Sequence, residues 1–502
     1  MDPWKLWKKA TLKTTGKRER SPERASAPKK LITIEALKKE LADIDDAVFV
    51  QVPVLNQTVT VVYINSLSKV ADIHDLVIRP LREAKENQLP SEILPLSEEV
   101  GLTELPAALI DIVSGFTLIY FENPNKVIKI NTYNPAQRSI TTTDNESTVI
   151  GPQDAFTESL ETNVSLIKRR ISNPSLKYKQ LVLGTETRTS VAVLYIEDIA
   201  NPDIVKRVLE RLHNVEYHGY LSMSHLSKMI EDYPFSPFPQ LGVTQRPDHV
   251  TAALLDGRIA VMLNGGPEAT ICPVTFLELF MSPEDYYLRW TVASLLRSLR
   301  FFGFFLSIFL TSSYVSVLTY HQEMLPPPLL LLLSESRARV PFPPVIEALG
   351  IELVIEILRE AGARMPSKVG QTIGIVGGIV IGTAAVEAGL ASNVLIVLVS
   401  VSALLSFLPA SYLLSTSGRF LRYFFILAAS LLGLFGQMLA LAAVMIHLLR
   451  LTSVGEVYMT PVIPRKLTDL EDSIFLAPLK YMLSRSGASK SKRKLRRPLD
   501  EE

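Results

Sequence analysis

Cysteine occurs once in this 502-residue chain, at Cys272, so no intrachain disulfide can form. That fits a water-soluble part facing a reducing compartment. It also leaves the sequons at Asn56 and Asn163 without meaning as glycosylation sites. Seven scattered histidines and the one cysteine show no metal-ligand spacing, so neither a metal nor a cofactor is expected. The 52 basic residues nearly balance the 51 acidic ones, so bulk charge offers no hold for a nucleic acid. The start, MDPWKLWKKATLKTTGKRER, lacks the apolar core of a secretory signal. No Gly-x-Gly-x-x-Gly, Walker A or nucleophile elbow is found. The adjacent acids Glu197-Asp198 and Glu284-Asp285 read as solvated loop or helix-start groups rather than acid/base pairs. Catalysis is therefore not expected.

What the chain does have is an abrupt change of solvent preference near Trp290. Residues 1–290 read as a charged, mixed α/β protein. Beyond them come apolar runs at 299–320, 373–386 (extendable to Leu390), 394–414 and 423–449. A bilayer core about 30 Å thick needs roughly 20 apolar residues in a helix, which predicts about four spans. The reading is a multi-domain membrane protein: a cytosolic N-terminal α/β region of two tandem subdomains, then an α-helical transmembrane domain. Its expected parts are a basic disordered tail (1–30), two subdomains (31–150 and 151–290), the helical domain (291–455) and a cytosolic C-terminal tail (456–502). Residues 1–30 carry ten Lys or Arg against three acids, and residues 481–502 carry seven against three. Both segments lack apolar periodicity and are expected to be disordered. Basic flanks, with Arg297, Arg300 and Arg450 at the span ends, favour both termini on the cytosolic side.

In the soluble region, AVFVQVPV (47–54) and TVTVVYI (58–64) alternate as strands. A helical pattern follows at 71–86, then a helix running into a buried strand over 105–121. The second unit repeats this grammar: strands at 178–186 and 190–198, a helix at 201–215 with Pro202 near its first turn, and a hairpin turning at Asn264-Gly265-Gly266. Residues 58–81 resemble 189–212. Tyr63-Ile64 aligns with Tyr195-Ile196, and Leu67 with Ile199, at a separation of 132. Shared strand-loop-helix physics could give such a likeness, as could two related subdomains.

The membrane half has three notable features. Gly370, Gly374, Gly378 and Gly382 recur every four residues, a rail that suits close helix packing or the wall of a pore. Glu387 reads as snorkelled or set in a polar seam, and Gln437 as an interhelical hydrogen-bonding or pore-lining group. Residues 346–363 are amphipathic, with Glu352, Glu356, Arg359 and Glu360 opposite Ile351, Val354, Ile355 and Leu358. They are expected outside the cytosol, on the bilayer or against another chain. The prolines before LLLLL (329–333) leave open a re-entrant segment or extra span at 326–335.

Between the halves, Ser282, Pro283, Glu284 and Asp285 have capping-box spacing. Tyr286, Tyr287 and Trp290 are expected at headgroup level as an aromatic girdle, and Arg289 belongs to the same junction. The segment reads as a joint that couples the soluble region to the first span.

The runs ESLETNVSLIKRRI (158–171), TQRPDHVTAALLDGRIAVMLNG (244–265), SPEDYYLRW (282–290) and VSVLTYHQEMLP (315–326) resemble GerA-type spore germination receptor A subunits. The likeness covers roughly residues 40–480 and departs at Gly266-Pro267-Glu268-Ala269. It implies a signal-transducing subunit of a nutrient germinant receptor in the spore inner membrane, with a transporter-like B subunit, a lipoprotein C subunit and the bilayer as partners. Self-association is also expected. A pore-forming role in the same complex is the alternative reading, and a membrane-anchored enzyme a lesser one.

Overall fold

The computed structural model describes residues 31–54, 57–84, 93–94, 96–122, 125–133, 146, 148–364, 378, 380, 382–464 and 471–496. The N-terminal part is two five-stranded antiparallel sheets with one plan. In the first, β1 (Ala47–Val54), β2 (Gln57–Ile64), β3 (Glu98–Val100), β4 (Phe116–Phe121) and β5 (Lys126–Asn131) lie in the order β1-β2-β4-β5-β3. The second has β6 (Leu176–Leu183), β7 (Thr189–Ile196), β8 (Gly242–Thr244), β9 (Ile259–Leu263) and β10 (Ala269–Cys272) in the order β6-β7-β9-β10-β8. These orders are the same once numbering restarts. β2 and β7 stand 132 residues apart at both ends, the separation at which the two sequences align. The helices after them, residues 70–82 and Pro202–Asn214, keep that offset. Two apolar faces per sheet explain the near-continuous burial of β2, β7 and β9, because helices cover both sides. The edge strands β3 and β8 have three residues each and gave no alternation to read.

Among the described residues, two helices are long and apolar enough to cross a membrane: Trp290–Tyr320 and Tyr412–Arg450. The expected count of about four is corrected in several ways. The run 394–414 is not one helix. It forms Asn393–Leu405, about 20 Å long, and breaks around Pro409 before the next helix starts at Tyr412. Seven of the fourteen residues of the second expected span, 373–386, fall outside the described residues. The segment 326–335 becomes the helix Pro327–Arg337, too short to cross.

The last helix is also not straight. Gly433 takes φ 63° and ψ −143°, and the chain doubles back there. Ser417 Oγ donates to the Pro237 carbonyl, while Ser236 and His447 are hydrogen-bonded at 2.8 Å. A straight helix would hold positions 417 and 447 about 45 Å apart. A Cβ placed on Gly436 would lie 2.1 Å from the Ala428 carbonyl oxygen, another mark of reversal. Residues 412–432 and 434–450 are therefore antiparallel arms, with the bend beside Tyr320 and His321. Glycine is needed at 433 because an L side chain would be strained there and would meet the His321 ring.

The amphipathic segment forms Pro344–Arg364 with its polarity turned inward. Glu347 and Glu352 are each 2% exposed, whereas Ile346, Leu353 and Ile357 are more than half exposed. Glu352 accepts from Arg422 Nη1 at 2.7 Å and Thr311 Oγ1 at 2.8 Å. Glu347 accepts from the Ser392 amide at 2.6 Å. The helix packs into the chain's own helical bundle. Its acids pair with the bundle's own groups and its apolar side faces out, as lipid contact requires.

Candidate coupling site at the membrane junction

The site is built where the second subdomain hands the chain to the first membrane helix. Ser282 and Pro283 open a short 3-10 turn over Pro283–Tyr286. Ser282 Oγ accepts from the Glu284 amide at 3.4 Å, and Asp285 Oδ2 accepts from the Ser282 amide at 3.1 Å. Asp285 then turns into the protein and is wholly buried. Arg297 Nε donates to it at 2.9 Å, and Arg300 approaches with both terminal nitrogens, at 2.6 and 2.8 Å. Both arginines come from the first three turns of the Trp290–Tyr320 helix. The reading of Asp285 as a solvated group is corrected by this burial. Burial alone would push its pKa up, but Arg300 and Arg297 outweigh that and hold the carboxyl below the usual range.

Arg297 continues the chain of charges. Its Nη1 donates to Asp472 Oδ1 at 2.7 Å and to the Ser473 carbonyl at 3.2 Å. Its guanidinium lies 5.3 Å from the Tyr286 ring centre, and the Tyr286 hydroxyl donates to Asp472 Oδ2 at 2.8 Å. Burial, then Asp472, pushes the Tyr286 hydroxyl up, so it stays a neutral donor. Tyr287 points the other way, donating to Asp248 Oδ2 at 2.9 Å. Asp248 is gripped by Arg246 at 3.0 and 2.8 Å, and Arg246 also reaches the Pro152 carbonyl and Thr148. Burial and the Asp248 carboxylate push the Tyr287 hydroxyl up to about 12. The Tyr287 ring also packs so closely on Gly151 that a Cβ there would come within 2.7 Å, at a φ of 113°. Two adjacent tyrosines thus tie one turn to two bodies. Both hydroxyls are carboxylate ligands, and Tyr287, Arg289 and Trp290 are exposed at the helix start.

The third strand of the joint is the C-terminal segment. Leu476, Ala477 and Met482 bury against Ala293, and Ser489 Oγ donates to the Asp256 carbonyl at 2.7 Å. The expected disorder of 481–502 is corrected as far as Arg496, which pairs with Asp256 at 3.1 Å. Nearby Arg258 is paired with Glu278, whose acidity burial weakens despite that partner. A cavity of about 50 Å³ lies among Asp256, Arg258, Glu278, Asp472 and Arg485, room for water rather than a solute. A larger polar cavity, about 310 Å³, lies between the subdomains beside Asp46, Ser66, Tyr178 and Asn264. Arg297, Arg300, Asp248 and Asp472 were not singled out as members of this site. The two arginines read as flanking charge, and Asp472 stands 175 residues from Arg297 with no signal to link them.

The remaining candidates fall elsewhere. Gln437 is buried and donates to Ser312 Oγ at 2.6 Å and to Ser313 Oγ at 3.3 Å. Glu387 is exposed. Gly374 lies outside the described residues, and a Cβ on Gly378 or Gly382 would meet nothing within 4 Å. Within one chain the close helix approaches occur instead at Gly303, against Leu408, and at Gly418, against Phe304. Glu268, at the sequence departure, accepts from Ser224 Oγ at 2.8 Å.

The family of Bacillus/Clostridium GerA spore germination proteins matches this chain over residues 35–488. The chain belongs to the GerA family. Spore germination protein GerQA of Bacillus cereus is 38% identical over 467 residues, covering 92% of this chain and 94% of that one. Spore germination protein A1 of Bacillus subtilis (strain 168) is 42% identical over 369 residues, covering 74% and 77%. The N-terminal domain of the A subunit of the Bacillus megaterium spore germinant receptor GerK3 aligns at 25% identity and a TM-score of 0.38, covering 50% of this chain and 98% of that domain. As a GerA-type receptor A subunit, this chain acts in signal transduction for germination rather than in catalysis.

Proposed function

We propose that this chain relays a nutrient signal from its tandem soluble subdomains, through the 282–300 joint, to helices crossing the spore inner membrane. The carrying observation is the buried Asp285, bound by both Arg297 and Arg300 and continued to Asp472. A salt-bridged buried joint is stiff, so a shift of the second subdomain moves the membrane helix with it. The partners in this reading are a transporter-like B subunit and a lipoprotein C subunit. Both termini lie on the cytosolic, or spore-core, side, supported by the packing of residues 471–496 on the soluble region. Self-association is a further part of the proposal: the open faces of Gly378 and Gly382 leave room for a second chain, which also favours a pore lined by several copies near Glu387. The test is nutrient-triggered ion flux in vesicles holding the purified complex, with and without this chain and with Asp285→Asn. Flux that is unchanged without the chain would overturn the reading.

A further inference from the structure

Among the described residues, the most exposed aromatic side chain of the soluble region sits where the membrane helices emerge. Phe235 is fully exposed, at 102% of its reference area, and Tyr233 is 41% exposed. The loop carrying them is pre-built. Gln240, itself buried, accepts from the Tyr233 amide at 2.8 Å and donates to the Tyr233 carbonyl at 2.7 Å, closing the neck. The Ser236 amide donates to the Tyr233 carbonyl at 3.0 Å, which turns the tip. Pro234, Pro237 and Pro239 stiffen the segment. Phe238 anchors it from below, packed on Phe276. A closed loop that presents a phenyl ring to its surroundings forfeits apolar burial unless something apolar receives the ring.

The depth of the tip says what receives it. Ser236, next to Phe235, is bonded to His447, three residues before the end of the last helical arm. Pro237 accepts from Ser417, on the other arm. Gly418 meets Phe304 at the same level, so the tip stands beside the part of the Trp290–Tyr320 helix that exposes Leu299, Phe302 and Leu306. On the arms, Phe420, Ile446 and Leu449 are exposed near this depth. These apolar side chains belong to membrane-crossing helices and face lipid. The loop enters the same layer.

We infer that residues 233–240 form a membrane-inserting loop, with Phe235 entering the headgroup and acyl boundary of the leaflet nearest the soluble region. Its ligand is a lipid surface. Aromatic rings partition well into that boundary, and such elements bury their apolar side by about 5–10 Å. The inference rests on the membrane reading of the helices but not on the receptor role, and its test reads no germination response.

The experiment uses the full chain in phospholipid nanodiscs. Phe235→Cys carries a polarity-sensitive NBD label, and Lys39→Cys on the first subdomain is the aqueous reference. The native Cys272 does not compete, because it is fully buried and burial pushes its thiol up to about 12. The expected result is blue-shifted emission at 235 relative to 39. Emission at 235 should also be lost more to a nitroxide lipid labelled near its headgroup than to one labelled at the chain end. Emission matching the Lys39→Cys reference would overturn the inference. So would a blue shift without lipid quenching, which would place a protein partner there. A Phe235→Trp chain, quenched by brominated lipid in a background with Trp4, Trp7 and Trp290 all replaced by Phe, repeats the test should the cysteine variant fold poorly.

Discussion

Replacing Asp285 by Asn exchanges one carboxylate oxygen for an amide NH2 and removes the one carboxylate that Arg300 touches among the described residues. The wild-type cluster of Asp285, Asp472, Arg297 and Arg300 balances two negative charges against two positive ones. In the variant, Arg297 keeps Asp472, but Arg300 is left with the Phe280 carbonyl as its described partner. Asn keeps the acceptor for the Ser282 amide, so loss of the cap contributes little. What is lost is a buried ion pair broken on one side, which costs about 3–5 kcal/mol. For an unfolding unit of this size, that is a fall in Tm of roughly 6–20 °C. The measurement is thermal unfolding of the full chain in nanodiscs at neutral pH, far above the depressed acidity range of Asp285, where its stabilising charge is complete. Asp472→Asn should cost less, because Asp472 is 18% exposed and water screens it. Adding Arg300→Met to Asp285→Asn should recover part of the loss, since the stranded charge goes with it. A fall of under 2 °C for Asp285→Asn, or a larger one for Asp472→Asn, would refute this account of the joint.

Glu352→Gln should strand Arg422 inside the helical bundle and lower the yield of folded chain, whereas the Glu352→Leu, Arg422→Leu pair should recover much of it; equal yields for both would contradict the pairing. Burial, then Arg258, lowers His249 to about 4 from 6.5, so the unfolded chain binds the extra proton first, and stability should fall between pH 6.5 and 4 by up to about 1.4 kcal/mol per unit. The buried acids Asp256 and Glu278 are raised and act with the opposite sign, so His249→Gln should flatten or reverse the acid-side loss; an unaltered pH profile would remove His249 from it. Impermeant labelling from the side opposite the soluble region should reach Ser334→Cys but not Lys490→Cys, and labelling of the latter alone would invert the proposed orientation. Gly378→Leu should impair complex recovery or flux more than Gly377→Leu, and the reverse order would remove the glycine rail as a contact between chains.

The soluble half was legible because its signals are local. Alternating Val and Ile set the strands, Pro202 started a helix, and the offset of 132 carried over into β2 and β7. The edge strands β3 and β8 escaped because three residues hold no periodicity. In the membrane half, length of apolar run is a weak guide to path. Nothing local distinguishes Gly433, which reverses the chain, from Gly303 and Gly418, which let helices touch. The amphipathic pattern at 346–363 was visible, but which side faces inward depends on the solvent. In water the acids face out; here Glu352 turns in because Arg422, 70 residues away, awaits it. At the joint, Ser282 and Asp285 were visible as a cap, yet the arginines that bind Asp285 read only as basic flanks of a span, and Asp472, which continues the network from Arg297, lies far along the C-terminal tail.

The second subdomain is not one stretch of chain. Val454 enters its core beside Val193 and Val261, Ser453 Oγ accepts from the Val274 amide at 3.0 Å, and Glu456 pairs with Arg207. The whole helical region is thus an insertion within a soluble fold. A ribosome making this protein finishes that fold only after the last membrane arm has been synthesised. Until then the half-built sheet has uncovered apolar surface, open to chaperones and proteases. Completion of the subdomain therefore reports that the membrane helices have inserted and both their ends have returned to the same side. A chain that misses one crossing cannot close its own soluble domain, so faulty insertion becomes a folding defect that quality control can detect.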